Sequence, residues 1–174
     1  MKYLRRLLWY LVSRLLILCL ALGLMTIVFY FSMNATNVYV VMKDGMAKRA
    51  KVIMMGLDEE GLERYFSPTY LERDQMLIQA RNGQSAYQKN YSITGFDHRL
   101  SLDWFWCWPW DNEVSATITE SIPAIDGKLK ASAREANQLA APKWETTQYT
   151  AILRRENGQW RIRSMTPTRI ITEE

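Results

Sequence analysis

A chain of 174 residues, 48% apolar, with seven Trp and nine Tyr but only eight Gly and five Pro, has the size of one domain and is too aromatic for a disordered or low-complexity protein. Two Cys exclude a disulfide scaffold. The formal charge of +4 invites a nucleic-acid reading, but Lys2, Arg5, Arg6 and Arg14 account for all of it, because the remaining Lys and Arg (22 less 4) balance 18 Asp and Glu and leave no basic excess for gripping phosphates.

The basic tail runs into Leu15 to Met33, nineteen residues without a charge. As a helix these rise about 28 Å, enough to cross a hydrocarbon core of about 30 Å. A cleaved signal peptide has a shorter apolar region and ends at a small-x-small site, whereas here Ala35 has Met33 two places before it. The run therefore reads as an uncleaved anchor. The earlier apolar piece, Leu7 to Val12, can belong to the same helix if Arg14 snorkels to the headgroups with Trp9 and Tyr10 in the interface beside it. With Lys2, Arg5, Arg6 and Arg14 as topology determinants, residues 1–14 are expected to be a short cytoplasmic tail, 15–33 the transmembrane helix and 34–174 an extracytoplasmic domain. Cys19 falls in the span, so Cys107 has no intrachain partner and reads as a small buried apolar side chain. Asn34-Ala35-Thr36 and Asn90-Tyr91-Ser92 match the N-glycosylation triplet, which arises often by chance, and the first lies too close to the membrane to be a good acceptor.

In the outer domain, Tyr39, Met42, Met46, Ala50 and Ile53 form one helical stripe over residues 38–55, with Lys43, Lys48, Arg49 and Lys51 on the other faces. Met42, Met46, Met54 and Met55 read as core. Gly56 ends this helix, and Asp58 is a candidate N-cap for a short second helix holding Leu62, Tyr65 and Phe66. Ser67-Pro68 starts a third, which buries Tyr70, Leu71, Leu77 and Ile78 and closes at Asn82-Gly83. Beyond residue 86 the period becomes two. Tyr91 to Phe96, Leu100 to Trp104 and Val114 to Ile118 alternate, with Asp111-Asn112 and Asp126-Gly127 as turn signals. Tyr149 to Leu153 then runs through Glu156-Asn157-Gly158-Gln159 into Trp160 to Ile162, the strongest hairpin signal in the chain. Helices first and an antiparallel sheet after make an α+β domain.

A long first helix, a short Leu62-x-x-Tyr65-Phe66 helix, a third entered through Ser67-Pro68-Thr69-Tyr70-Leu71, and a meander closing with Leu153-Arg-Arg-Glu-Asn-Gly-Gln-Trp160-Arg-Ile162 resemble the nuclear transport factor 2-like superfamily over nearly all of residues 38–165. With a span in front, the chain is similar to its membrane-anchored members, among them inner-membrane assembly subunits of bacterial conjugation and type IV secretion systems. It departs from those subunits in its very short cytoplasmic tail. The resemblance implies a cone of three helices packed on a curved antiparallel sheet, and a role in a bacterial envelope complex. It also implies that a carboxylate or His inside the cone, with a Tyr donor, could do chemistry in some members.

The residues themselves offer little chemistry. His98, in Asp97-His98-Arg99 between two apolar runs, reads as part of a surface turn, and alternation sends Asp103 to solvent. No Ser/His/Asp set, phosphate-cradling Gly loop or metal spacing appears, so no cofactor or metal is expected. Arg154-Arg155 and Arg161-x-Arg163 face each other across the hairpin and read as a solvated strip close to Glu156. The unusual stretch is Trp104, Trp106, Trp108 and Trp110, four Trp at alternate positions that share a face if extended. Four indoles carry roughly 800 Å² that needs covering, by the core, by a partner or second copy, or by the membrane interface. Tyr65, Phe66 and Tyr70 are the other candidate partner or pocket aromatics.

The expected function is thus a single-pass, non-enzymatic interaction or assembly module of a cell-envelope complex. Its partners would be the membrane and a protein or second copy, with no nucleic acid. The alternative is a tethered cone that binds or transforms a small molecule, and an open or plugged interior separates the two. The orientation is testable directly. Protease added to intact spheroplasts is expected to remove a C-terminal tag, and protection of the tag would reverse the topology.

Overall fold

The computed structural model describes residues 2–57, 59–133 and 141–171. A single helix, α1 (Lys2–Met55), takes in the basic tail, the apolar run and the first domain helix without a break. From Met25 to Met55 the sequence has no Pro and one Gly, Gly45, so nothing in it interrupts the hydrogen-bond ladder between the apolar run and the domain. At 1.5 Å per residue the helix is about 80 Å long. It is the one described helix long and apolar enough to cross a membrane, and its apolar window is exposed all round, as suits a helix surrounded by lipid.

The outer part of α1 is the spine of the domain. Val38, Met42, Met46, Ala50 and Ile53 are fully or almost fully buried, with Met54, while Tyr39 and Met55 are half-buried. Arg49, expected on an outer face, is also buried. The reason is that α1 packs on two sides, against the sheet and against the short helices next in the chain, so a single stripe cannot describe its buried surface.

Gly56, at φ +65°, turns the chain out of α1. The cap expected at Asp58 lies outside the described residues. In place of the expected short second helix there is one 3₁₀ turn, Leu62–Arg64, because Tyr65 and Phe66 are taken up by the sheet instead. The Ile162 N–H donates to the Tyr65 carbonyl at 2.7 Å and the Ser67 N–H to the Ile162 carbonyl at 2.9 Å, an isolated parallel bridge. The Ser67 side chain then caps α2 (Pro68–Leu71), as its sequence indicates. The helix expected to continue from there stops after one turn. Asp74 accepts from the Met76 and Leu77 N–H groups and opens a separate helix, α3 (Gln75–Arg81). Leu77 is buried, whereas Tyr70, Leu71 and Ile78 are half-buried. Before the first strand, where the period is expected to change beyond residue 86, the chain forms α4 (Ala86–Asn90), capped by Ser85, whose hydroxyl also donates to the Ile53 carbonyl of α1 at 2.8 Å.

The strands are β1 (Tyr91–Phe96), β2 (Arg99–Phe105), β3 (Glu113–Ser121), β4 (Ile125–Leu129), β5 (Thr147–Glu156) and β6 (Gln159–Ile170). All pairing among them is antiparallel, and the expected single meander is divided in two. A four-stranded sheet has the order β2-β3-β5-β6, and β1 pairs only with β4. Asp126-Gly127, read as a turn, lies inside β4, where Gly127 sits opposite Ile93. A Cβ there would stand 2.7 Å from the Ile93 Cδ1 and 3.0 Å from the Ser92 carbonyl oxygen, so the glycine serves a close approach between strands. The β5–β6 hairpin turns through Asn157 and Gly158, both at positive φ (50° and 80°), as a two-residue I′ turn demands. Register shifts in the β2–β3 and β5–β6 pairs bend the sheet over α1. The chain is therefore a mixed α+β fold with a long apolar N-terminal helix.

Gly45 marks a close approach between the spine and the end of the 3₁₀ turn. A Cβ at this position would lie 2.9 Å from the Tyr65 Cβ. Gly45→Ala gains about 1 kcal/mol of helix propensity but is expected to lose more, about 1–3 kcal/mol, to overpacking. A lower melting temperature in detergent checks this; a higher one would show that Tyr65 yields.

Candidate functional site

The tryptophan stretch is not part of the core. Strand β2 ends at Phe105, so only Trp104 keeps the extended geometry, paired with Thr117 across a register shift. The chain then turns. The Trp108 N–H donates to Asp111 Oδ2 at 2.7 Å, and the Asp111 N–H to the Trp108 carbonyl at 3.1 Å. Trp104, Trp106, Trp108 and Trp110 are 66, 50, 38 and 65% exposed, so the core reading of the four rings is set aside. The space beneath the sheet is already filled by Met42, Met46 and Phe66, and β2 is an edge strand whose end runs out beside the anchor. Only Cys107, between two of the rings, is fully buried, and burial pushes its thiol up.

Three of the rings form a ladder that starts on α1. Phe31, near the end of the uncharged run, lies 5.3 Å from Trp106 between ring centres. Trp106 meets Trp108 edge-on at 5.3 Å, and Trp108 stacks on Trp110 at 5.1 Å with the planes 8° apart. One turn further along α1, Asn34 locks the loop in place. Its Nδ2 donates to the Pro109 carbonyl at 3.1 Å, and its Oδ1 accepts from Arg155 Nη2 at 2.7 Å. Arg155 in turn lies over the Trp160 ring at 4.8 Å. Asn34 is buried, which agrees with its poor standing as a glycosylation acceptor.

A second group of residues gathers inside the domain. Arg49 Nε lies 2.6 Å from Asp74 Oδ2, and Arg49 Nη2 donates to Asp74 Oδ1 at 3.2 Å, with both side chains 5% exposed. The Asp74 carboxylate thus holds the spine and caps α3 at once. His98, expected in a surface turn, points inward instead. Its Nε2 is 3.1 Å from Oε1 of Glu120, which is wholly buried. Glu120 continues the inward phase of Val114, Ala116 and Ile118, and Arg49 follows Met46 by three residues. These phases were the signal for both residues, and their charge masked it. Among the described residues, Arg49 Nη1 and Glu120 Oε2 are two of the buried polar atoms without a partner. A cleft of about 610 Å³ opens beside this group, lined by Arg49, Tyr70, Arg73, Asp74, Tyr149 and Arg163 among others.

The electrostatics fix the protonation of most of this cluster. Burial works against the Arg49 charge, but Tyr70 and Asp74 outweigh it and hold the guanidinium above its ordinary value. Burial also works against the Asp74 charge, and the Arg49 ion pair holds that carboxyl below its ordinary value. Burial pushes the Tyr70 and Tyr149 hydroxyls up. The arrangement at neutral pH is a cation, its counter-ion and two hydroxyls, that of Tyr70 bonded to Asp74 and that of Tyr149 to Thr147.

The other sequence-derived candidates scatter. Phe66 is fully buried and stacks on Tyr70 at 5.1 Å, while half-buried Tyr65 borders a separate groove with Asn37, Val41 and Trp160. Asp103 is exposed as expected, held below its ordinary value by hydrogen bonds from Thr119 at 2.7 Å and Gln148 at 3.0 Å. The arginine strip is divided among partners: Arg161 with Glu156 at 3.5 Å, Arg163 with Glu113 at 3.7 Å, and Arg155 with Asn34. Lys2, Arg5, Arg6 and Arg14 are exposed on the first turns of α1, Arg14 over the Tyr10 ring at 5.3 Å. Among the described residues no group of three or more His, Cys, Asp and Glu could hold a metal ion. No protein-family model, curated protein or solved structure matches this chain.

Because the Asp74 carboxyl is held below its unfolded value, its contribution to stability is present above the ordinary carboxylate range and is lost as pH falls through the folded value. Asp74→Ala, which strands Arg49, is expected to cost about 3–5 kcal/mol near neutrality. It should also flatten the acid limb of a stability profile taken by thermal melts below about pH 4. An unchanged acid limb would show that the pair is not the acid-sensitive element.

Proposed function

We propose that this chain is a single-pass, membrane-anchored interaction module of a bacterial envelope complex. In this reading the tail of residues 1–14 is cytoplasmic, residues 34–174 are extracytoplasmic, the domain is a nuclear transport factor 2-like cone, and it works without chemistry of its own. The observation that carries this reading is the continuity of α1 (Lys2–Met55) from the span into the core. A tethered enzyme gains nothing from a rigid stalk, since its substrate diffuses to it. An assembly subunit does, because an unbroken helix sets the height and direction in which its surfaces meet a partner. The formally neutral outer region and the plugging of its interior by Met42, Met46 and Phe66 support the same reading. So does the engagement of Asp74 in an ion pair and a helix cap, which leaves it poorly placed as a general base.

One observation favours a second reading, a small ligand bearing a carboxylate or similar anion. Arg49 Nη1 is buried without a partner next to the cleft that Tyr70 and Tyr149 line. Under that reading small carboxylates raise the melting temperature of the native chain but not of Arg49→Met.

The interaction reading is tested in native membranes. Cross-linking and then purification through a C-terminal tag is expected to yield a discrete adduct, of the chain with itself or with a second envelope protein. Recovery of the single chain alone, under conditions that cross-link a known envelope complex, would overturn it.

A further inference from the structure

We infer that the Trp106, Trp108 and Trp110 ladder is a second membrane contact, seated in the headgroup interface on the domain's side of the bilayer. This inference rests on the membrane-span reading of α1. The occupant is the lipid surface itself, because the ladder is continuous with the span: its first contact is Phe31, inside the uncharged run, at 5.3 Å. Asn34, just after Met33, ties the loop to that turn of α1 by donating to the Pro109 carbonyl, and it accepts from Arg155 of β5. Trp106 therefore lies beside the last turn of the uncharged run, and Pro109 holds Trp108 and Trp110 beside the turn that follows.

The rest of the helix shows the same boundary. Tyr30, half exposed, stands at the domain-side end, and Trp9 and Tyr10, beside Arg14, stand at the other. Arg14 and Asn34 are separated by twenty residues of continuous helix, a rise of about 30 Å, which equals the hydrocarbon thickness. Indoles favour this zone because the ring is apolar and the N–H stays wet. One crossing helix leaves a domain free to tilt and to rotate about its axis. A second contact, displaced sideways from that axis and held by Asn34, removes both freedoms.

The full chain in nanodiscs, one chain per disc, tests this with two probes: phosphatidylcholine brominated near the headgroup end of its acyl chains, and aqueous iodide. Trp144 and Trp160 are buried in the domain and respond little to either. The signal of the ladder is the difference between the native chain and Trp106→Ser/Trp108→Ser/Trp110→Ser. All three rings are exposed, so the variant is expected to keep the native circular dichroism; Trp110→Ser alone serves if it does not. The expected result is that bromolipid quenches the difference signal, iodide does not, and the triple variant loses most of the bromolipid quenching. Quenching by iodide and not by bromolipid overturns the inference. So does protection that appears only with two chains per disc, which would make the ladder a contact between copies. Trp9 reports on the anchor separately: if bromolipid fails to quench the Trp9 signal, defined by Trp9→Phe, the span reading itself falls.

Discussion

Everything in this molecule depends on one unbroken backbone ladder. A helix satisfies its N–H and C=O groups within its own segment, so the apolar run of α1 needs no partner from the domain beyond it to pair its backbone. Between the span and Met55 the sequence contains no Pro and a single Gly, so the helix has no reason to stop until Gly56. The domain packs on the outer part of this rod. Its sheet wraps one side of the rod and its short helices cover another, which is why residues as different as Met46 and Arg49 are both buried on it.

The Arg49–Asp74 pair shows how that assembly is made specific. A buried ion pair adds little net stability compared with apolar side chains of the same volume, yet it is costly to break, so it selects one register of α3 against α1. Asp74 strengthens the selection by also capping α3, and Ser85 repeats the device when it caps α4 and bonds the Ile53 carbonyl. The short helices are thereby fixed to the spine by polar bonds at their first turns. Helices of seven and five residues would have little stability of their own.

At the end of the uncharged run Asn34 plays the corresponding part. Its amide donates to the tryptophan loop and accepts from β5 through Arg155, so a single side chain joins anchor, loop and sheet. The loop's rings stay exposed because Asn34 and the edge position of β2 leave them no route inward. The loop's exposed rings consequently sit beside the end of the uncharged run of α1.

Local signals in the sequence determined the charge-free span, the stripe of Met42, Met46, Ala50 and Ile53, the Ser67-Pro68 helix start and the Asn157-Gly158 hairpin. Each depends on residues within a few positions of one another, so a short window contains the whole cause. Tertiary structure alone decided the rest. The pairing of β1 with β4, the capture of Phe66 by Ile162, the inward turn of His98 toward Glu120 and the exposure of the tryptophan ladder all depend on partners far along the chain. A residue's alternation or helical phase says which way it points relative to its neighbours. Whether that direction leads to core or solvent is settled by what else packs there, and here the outer half of α1 fills much of that space.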